Sequence, residues 1–100
     1  MTYYSVLEVT PTSEDWIPGY LPTANAVLAK HGGKYLARTT RHDQIEGDAR
    51  GAALRILIEW PSKEAADAFM ADPDYVPHRT ARQAGSDSFH WLIEGKDDLA

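Results

Sequence analysis

The densest group of residues that could do chemistry lies between positions 74 and 82. If this segment is helical, Tyr75 and Arg79 are four residues apart, as are His78 and Arg82, so the side chains of each pair meet on one face. Two guanidinium groups beside an imidazole could bind a carboxylate or phosphate and move a proton. The alternative is a solvated helix face whose arginines form ion pairs with nearby carboxylates, those of Asp72, Asp74 and Asp87.

Three side chains elsewhere in the chain are candidates for the same site. Arg38, in or at the end of a predicted strand, could clamp an acidic ligand or could pair with Glu46 or Glu59 on the sheet. Trp60 could stack on an aromatic ligand or fill the core. His90 could act as an acid or base in a cavity between subunits, or remain a hydrogen-bonded interface histidine. The candidate ligand-binding residues are Arg38, Trp60, Tyr75, Arg79 and Arg82, and the catalytic candidates are His78 and His90.

The patterns of familiar catalytic centres are missing from the sequence. The four histidines show no metal-ligand spacing, and without cysteine there is neither a thiolate nor a disulfide. Glycine loops that bind phosphate and Ser/His/Asp arrangements are missing too. We therefore expect a protein with no metal and no cofactor.

Length and composition favour a single globular domain. The chain has 100 residues, of which 43% are hydrophobic and 25% charged, with a net charge of −5. That charge argues against nucleic acid as a partner, because a phosphate backbone needs clustered Lys and Arg. Neither a signal peptide nor a membrane span is predicted, so we expect a cytoplasmic protein. We place the domain at residues 1–96 and a solvated C-terminal tail at residues 97–100.

The elements that must position these side chains follow the order β-α-β-β-α-β, which is ferredoxin-like. This order predicts an α+β fold with an antiparallel four-stranded sheet and helices on one face. Pro18, Gly19 and Pro22 interrupt the first helix, which should be kinked or become regular only near Pro22. The predicted strands cover residues 3–9, 34–40, 53–60 and 88–93, with 44–46 as a continuation of the second after a bulge. The predicted helices run from Trp16 or Pro22 to about His31, over 63–71, and over a further stretch at 75–84.

Side chains alternate along a strand, so each strand has two faces. The apolar faces of the third and last strands should lie under the helices, and they consist of Leu54, Ile56, Ile58, Trp60, Phe89, Trp91 and Ile93. The opposite, mixed face would carry apolar residues among charges, including Val6, Leu57, Leu92 and, beside them, His90 and Glu94. An exposed apolar patch of this kind usually marks an interface, so we predict a homodimer with the two sheets packed face to face.

Seven stretches of the chain occur in an order typical of one protein family. They are Gly32 to Arg38, Ile45 to Asp48, Leu57 to Ser62, Ala65-Ala66, Asp72 to Tyr75, Arg79 to Arg82, and Ile93 to Gly95. Together they resemble the bacterial domain-of-unknown-function family number 1330, over nearly the whole chain. The resemblance implies a dimeric α/β barrel, in which two ferredoxin-like sheets close on each other, and it implies no particular reaction.

The function we expect is the binding of a small anionic or aromatic organic ligand between sheet and helices of a homodimer. Proteins that resemble this one in fold often catalyse monooxygenation, isomerisation or decarboxylation without a cofactor, and this expectation is an analogy from fold. Two alternatives stay open, a non-catalytic ligand-binding module and a module whose only activity is dimerisation. Whether the protein is an enzyme is left open by the residues alone.

Overall fold

The computed structural model describes residues 1–100 and confirms the α+β, ferredoxin-like fold. Its elements are β1 (Tyr3–Pro11), α1 (Ile17–Lys30), β2 (Lys34–Thr39), β3 (Leu54–Trp60), α2 (Lys63–Ala71), α3 (Val76–Ala84) and β4 (Ser86–Glu94). The four strands form one antiparallel sheet in the order β2-β3-β1-β4. The second helical connection holds two helices, α2 and α3. None of the helices has the length and apolar character needed to cross a bilayer.

The first helix is continuous from Ile17, with Trp16 as its N-cap, which corrects the alternative in which its regular part begins near Pro22 and agrees with the alternative that begins at Trp16. Pro18 lies in the first turn, where a missing N–H costs nothing, because no helical acceptor is available there. Pro22 lies inside the helix and lacks the N–H that would reach the carbonyl of Pro18. Burial of Ala24, Val27 and Leu28 against the sheet outweighs that lost hydrogen bond.

Helix α2 begins and ends at the residues that the sequence predicts. Ser62 caps α2, since its hydroxyl accepts a hydrogen bond from the backbone N–H of Ala65 at 3.1 Å. Asp72 ends α2, and its carboxylate accepts hydrogen bonds from Lys30 Nζ at 3.0 Å and His31 Nε2 at 2.8 Å. These contacts tie the C-terminal end of α1 to the turn that starts α3.

The core lies between the sheet and the helices. Trp60 is 1% exposed, and its ring centroid lies 5.2 Å from that of Phe69 on α2, so the predicted burial of Trp60 is confirmed. Phe69 in turn stacks on Tyr75, with ring centroids 4.1 Å apart. The buried apolar residues are Leu7, Val9, Ala24, Val27, Leu28, Ile58, Trp60, Ala66, Phe69 and Tyr75.

The two faces of β4 are the reverse of the prediction. Cross-strand partners share a face, and β4 sets Leu92 opposite Ser5 and His90 opposite Leu7. Since Ser5 and Leu7 are buried under the helices, Leu92 and His90 lie on the helix side. The sheet face turned away from the helices, here named the open face, instead carries the apolar residues of β4. Its members are Tyr4, Val6, Glu8, Arg55, Leu57, Glu59, Phe89, Trp91 and Ile93.

The segment between β2 and β3 is a loop, so residues 44–46 do not continue β2. The Gln44 side chain organises it, because Nε2 donates to the carbonyls of Glu46, Gly47 and Asp48 at 2.7 to 3.0 Å. The loop leads to Arg50, whose guanidinium lies 3.0 Å from Glu8 and 5.6 Å from the Trp91 ring centroid. The loop therefore borders the open face.

Candidate functional site

A cavity with two adjacent lobes lies between the sheet and helices α1 and α3. The outer lobe has a volume of about 180 Å³ and the inner lobe about 20 Å³. Both lobes are lined by Leu7, Tyr20, Tyr35, Ile56 and Arg82. The outer lobe adds Val9, Pro11, Trp16, Ile17, Leu21, Arg38 and Leu54. The inner lobe adds Ile58, Trp60, Phe69, Met70, Tyr75 and His90.

Arg82 is the most unusual residue of this cavity. It lies in the last turn of α3 and is only 4% exposed. Its guanidinium forms no ion pair and donates no hydrogen bond to a protein acceptor, and its Nε is buried without a partner. Burying an unpaired guanidinium is costly, so this arrangement favours a negatively charged group in the cavity.

Arg38 lines the outer lobe from β2 and is exposed at its rim. Its Nη1 donates to Asn25 Oδ1 on α1 at 2.8 Å, and its guanidinium carbon lies 3.9 Å from the Tyr35 ring centroid. Neither of these partners is charged, and the expected alternative pairs with Glu46 or Glu59 do not form. The positive charge of Arg38 is therefore unneutralised beside the lobe.

Two tyrosine hydroxyls meet inside the cavity. The oxygen atoms of Tyr20 and Tyr75 lie 2.7 Å apart, so one hydroxyl donates to the other and the proton of the second has no protein acceptor. Burial raises the pKa of Tyr20 well above its usual value, and the neighbouring Tyr75 adds to the rise. Burial also raises the pKa of Tyr35. The hydroxyls of Tyr20 and Tyr35 therefore stay protonated and can donate hydrogen bonds.

A chain of hydrogen bonds fixes His90 at the inner lobe. Trp60 Nε1 donates to Ser5 Oγ at 2.8 Å, and Ser5 Oγ lies 2.8 Å from His90 Nε2. The Trp60 indole can only donate, so the Ser5 hydroxyl accepts from it and can donate its own proton in a hydrogen bond to His90. In the neutral imidazole, Nε2 is then the acceptor of that hydrogen bond. Burial lowers the pKa of His90, and the charge of Arg82 lowers it further. The residue as a whole is exposed because β4 is an edge strand, yet Nε2 points inward to a fully buried hydroxyl.

The cavity contains no acidic side chain. Acidic residues outnumber basic ones by 15 to 10 in the whole chain, yet the charged groups lining the two lobes are Arg38 and Arg82. The remaining walls are apolar or aromatic. The arrangement can accept an anion and the apolar body attached to it.

The structure brings together five of the seven predicted site residues, namely Arg38, Trp60, Tyr75, Arg82 and His90. Arg79 and His78 lie elsewhere. Arg79 Nη1 donates to the Met70 carbonyl and holds α3 against the end of α2. His78 lies on the outer side of α3 in an open groove with Pro22 and Asp74.

The alternative ion pairs of the α3 arginines do not form either, since Asp72 bonds to Lys30 and His31 instead. His90 reaches the cavity from the helix side and not, as predicted, from the mixed face.

Sequence reasoning did not select Ser5, Tyr20 or Tyr35 as site residues. Tyr20 follows Trp16 by four residues, which is a helical spacing, and Tyr35 precedes Arg38 by three residues in β2. A search for polar aromatic residues on faces predicted to be buried would have found both tyrosines. Nothing in the sequence marks Ser5, whose role depends on the pairing of β1 with β3 and β4.

Three solved structures share this fold. RPA0582, a protein of unknown function from Rhodopseudomonas palustris, has a TM-score of 0.78 and 18% identity, over 96% of this chain and 83% of that chain. A dimeric ferredoxin-like protein of unknown function from Jannaschia sp. CCS1 has a TM-score of 0.67 and 16% identity, over 94% of this chain and 99% of that chain. A mutant of SnoaB, a cofactor-independent oxygenase from Streptomyces nogalater, has a TM-score of 0.64 and 23% identity, over 98% of this chain and 96% of that chain.

No curated protein shows a significant match to the chain. The family comparison is decisive, because the model described as "Domain of unknown function (DUF1330)" matches residues 2–96. This match covers every strand and helix of the structure, including all residues that line the cavity. The chain therefore belongs to the DUF1330 family.

Proposed function

We propose that the protein binds a small organic anion between its sheet and helices, with the anionic group on Arg82. The single observation that carries this proposal is the side chain of Arg82: the residue is only 4% exposed, and its guanidinium lies 5.9 Å from the centroid of the Tyr20 ring but forms no ion pair and donates no hydrogen bond to a protein acceptor. A carboxylate suits this group well, because a guanidinium can donate two parallel hydrogen bonds to it. The spare phenol proton of the Tyr20–Tyr75 pair offers a further donor inside the cavity.

The outer lobe limits the size of the ligand's apolar part. An apolar cavity of about 150 Å³ holds one benzene molecule, so the lobe of about 180 Å³ accommodates a single ring. Trp16, Tyr20 and Tyr35 line it with aromatic surface. A carboxylic acid with one ring, such as benzoate, is the simplest molecule that meets both requirements.

Calorimetric titration with benzoate tests the proposal. We expect saturable binding by the wild type and at least tenfold weaker binding by Arg82→Gln, because a charge-assisted pair in a buried site is worth about 1.5–3 kcal/mol. Arg41→Gln is the matched control, since Arg41 is exposed and does not line either lobe. Benzoate binding that is equal in Arg82→Gln and the wild type would disprove the proposed site, provided that circular dichroism shows both to be folded.

The proposed function includes a homodimer formed through the open face. Phe89, Trp91 and Ile93 are 53%, 46% and 50% exposed there, which makes a contiguous apolar surface. The charged residues at its edge already neutralise one another, because Glu8 lies 3.0 Å from both Arg50 and Arg55. The dimeric protein from Jannaschia, with the same fold, supports this assembly.

Catalysis without a cofactor on the bound anion is a second candidate function, favoured by the placement of His90. This side chain lines the inner lobe with Arg82, in a neutral form that can accept a proton. The likeness to SnoaB, a cofactor-independent oxygenase, supports this candidate at the level of fold alone. Saturable turnover of a small phenol or keto acid, lost in His90→Asn, is expected if it is correct. Tight benzoate binding without any such turnover would refute catalysis and support a protein that only binds its ligand.

A further inference from the structure

We infer that the ligand is a dicarboxylate, with one carboxylate on Arg82, a second on Arg38, and an apolar body between them. This inference rests on the proposed function of Arg82. The two arginines line the same outer lobe, one buried on α3 and the other exposed on β2 at the rim. The lobe therefore has a guanidinium at its closed side and another at its open side.

The charge of Arg38 is available to a ligand. Its Nη1 is held by the amide oxygen of Asn25, and its planar face rests on the ring of Tyr35. These contacts fix the guanidinium at the rim without neutralising it, and its other N–H groups have no protein acceptor. A residue held in place by neutral partners is preorganised for an incoming anion.

The walls between the two arginines exclude other ways of holding a second charge. Apolar and aromatic side chains, among them Leu7, Val9, Trp16, Leu54 and Ile56, form most of the lobe. No lysine or histidine lines this lobe. A second carboxylate away from Arg38 would lose water and find no second positive charge, only tyrosine hydroxyls, which disfavours binding. The preference for a dicarboxylate therefore depends on Arg38 alone.

A matched pair of acids tests the inference. Benzene-1,4-dicarboxylate and 4-methylbenzoate share one ring and one carboxylate, and differ in whether the opposite position carries a carboxylate or a methyl group. We expect the wild type to bind the dicarboxylate about fivefold more tightly, since an exposed ion pair is worth up to about 1 kcal/mol. In Arg38→Gln this order should reverse, because the affinity for the dicarboxylate should fall by more than the affinity for 4-methylbenzoate.

Three results separate this inference from the proposed function. Equal or tighter binding of 4-methylbenzoate by the wild type, with both acids still dependent on Arg82, would overturn the dicarboxylate inference and leave the anion site intact. A preference for the dicarboxylate that persists in Arg38→Gln would also overturn it. Failure of both acids to bind the wild type would overturn both proposals. Arg41→Gln serves as the control for the general positive field and should keep the wild-type preference.

Discussion

The hydroxyl oxygens of Tyr20 and Tyr75 lie 2.7 Å apart and join α1 to the residue that precedes α3. This hydrogen bond links α1 to the start of α3, the helix that carries Arg82. Because both phenols are largely buried, removing one hydroxyl leaves the other without its partner.

The first prediction concerns the coupling between these two tyrosines. Tyr20→Phe and Tyr75→Phe should each lower the free energy of unfolding by about 1 kcal/mol, and the double variant should lose less than the sum. Urea unfolding of the four proteins in a double-mutant cycle measures this coupling. Tyr4→Phe is the control, because the Tyr4 hydroxyl lies on the open face and makes no hydrogen bond. Strictly additive losses would show that the short oxygen–oxygen distance contributes no stability.

The second prediction is a pH dependence caused by His90. Burial and Arg82 lower the pKa of this histidine below its usual value of 6.5, so the folded protein binds the proton less readily than the unfolded chain does. Stability should be fully retained above about pH 6.5 and should fall as the pH drops below it, because the unfolded state then takes up more protons.

Urea midpoints measured from pH 7.5 to pH 5 in the wild type and His90→Asn check this. The stability difference between the two proteins should shrink on acidification. His78→Asn is the control, because His78 lies in an open groove outside the cavity and should show the wild-type slope. A wild type that gains stability relative to His90→Asn at low pH would contradict the assigned sign.

The third prediction concerns the open face. Leu57 lies at its centre, opposite Val6 on β1, and Leu57→Glu would place an unpaired charge in the dimer interface. Light scattering at micromolar concentration should give about twice the 11.1 kDa chain mass for the wild type and one chain mass for Leu57→Glu. Ala68→Glu, on the exposed side of α2, should stay dimeric. A wild type that is monomeric at high concentration would refute the proposed dimer.

The fourth prediction concerns Gly85, which gives Trp16 its place at the outer lobe. The Gly85 carbonyl accepts a hydrogen bond from Trp16 Nε1 at 3.0 Å, and a Cβ at this glycine would lie 2.6 Å from the same nitrogen. Gly85→Ala should therefore displace the indole and weaken benzoate binding several-fold. Gly51→Ala is the control, since a Cβ there meets nothing. Unchanged affinity together with an unchanged tryptophan fluorescence spectrum would refute this role of Trp16.

The fold was largely predictable because local signals agree with tertiary packing. Ser62 caps α2, and Asp72 with the following Pro73 ends it, so both of its boundaries follow from the sequence. The start of α1 stayed open between Trp16 and Pro22, since Pro22 is unfavourable inside a helix and only packing of Ala24 and Val27 against the sheet overrides it.

The faces of β4 were not predictable from hydrophobicity. Phe89, Trp91 and Ile93 form its most apolar set, so alternation assigns them to the core. The structure turns Ser88 and His90 toward the helix side instead, where His90 bonds to Ser5, and leaves the apolar set on the open face. Alternation therefore gives the wrong orientation for β4, because its more polar side faces the helices and its more apolar side is exposed on the open face.

The sequence indicated which charged residues belong to the candidate site, but not which of the two α3 arginines enters the cavity. Arg79 and Arg82 are three residues apart on α3, so their side chains leave the helix about 60° apart around its axis. This separation lets the two arginines contact different partners. Arg79 therefore reaches the end of α2 while Arg82 enters the cavity. Which arginine turns inward depends on how α3 packs against α1 and β4, and the sequence of α3 alone does not contain that information.

The most direct test of the central claim is a crystal structure of the wild type with 4-bromobenzoate, located by the anomalous signal of bromine. We expect the ring in the outer lobe and the carboxylate within hydrogen-bond distance of the Arg82 guanidinium. Bromine density outside the cavity, or an Arg82 guanidinium paired with a protein carboxylate, would contradict it.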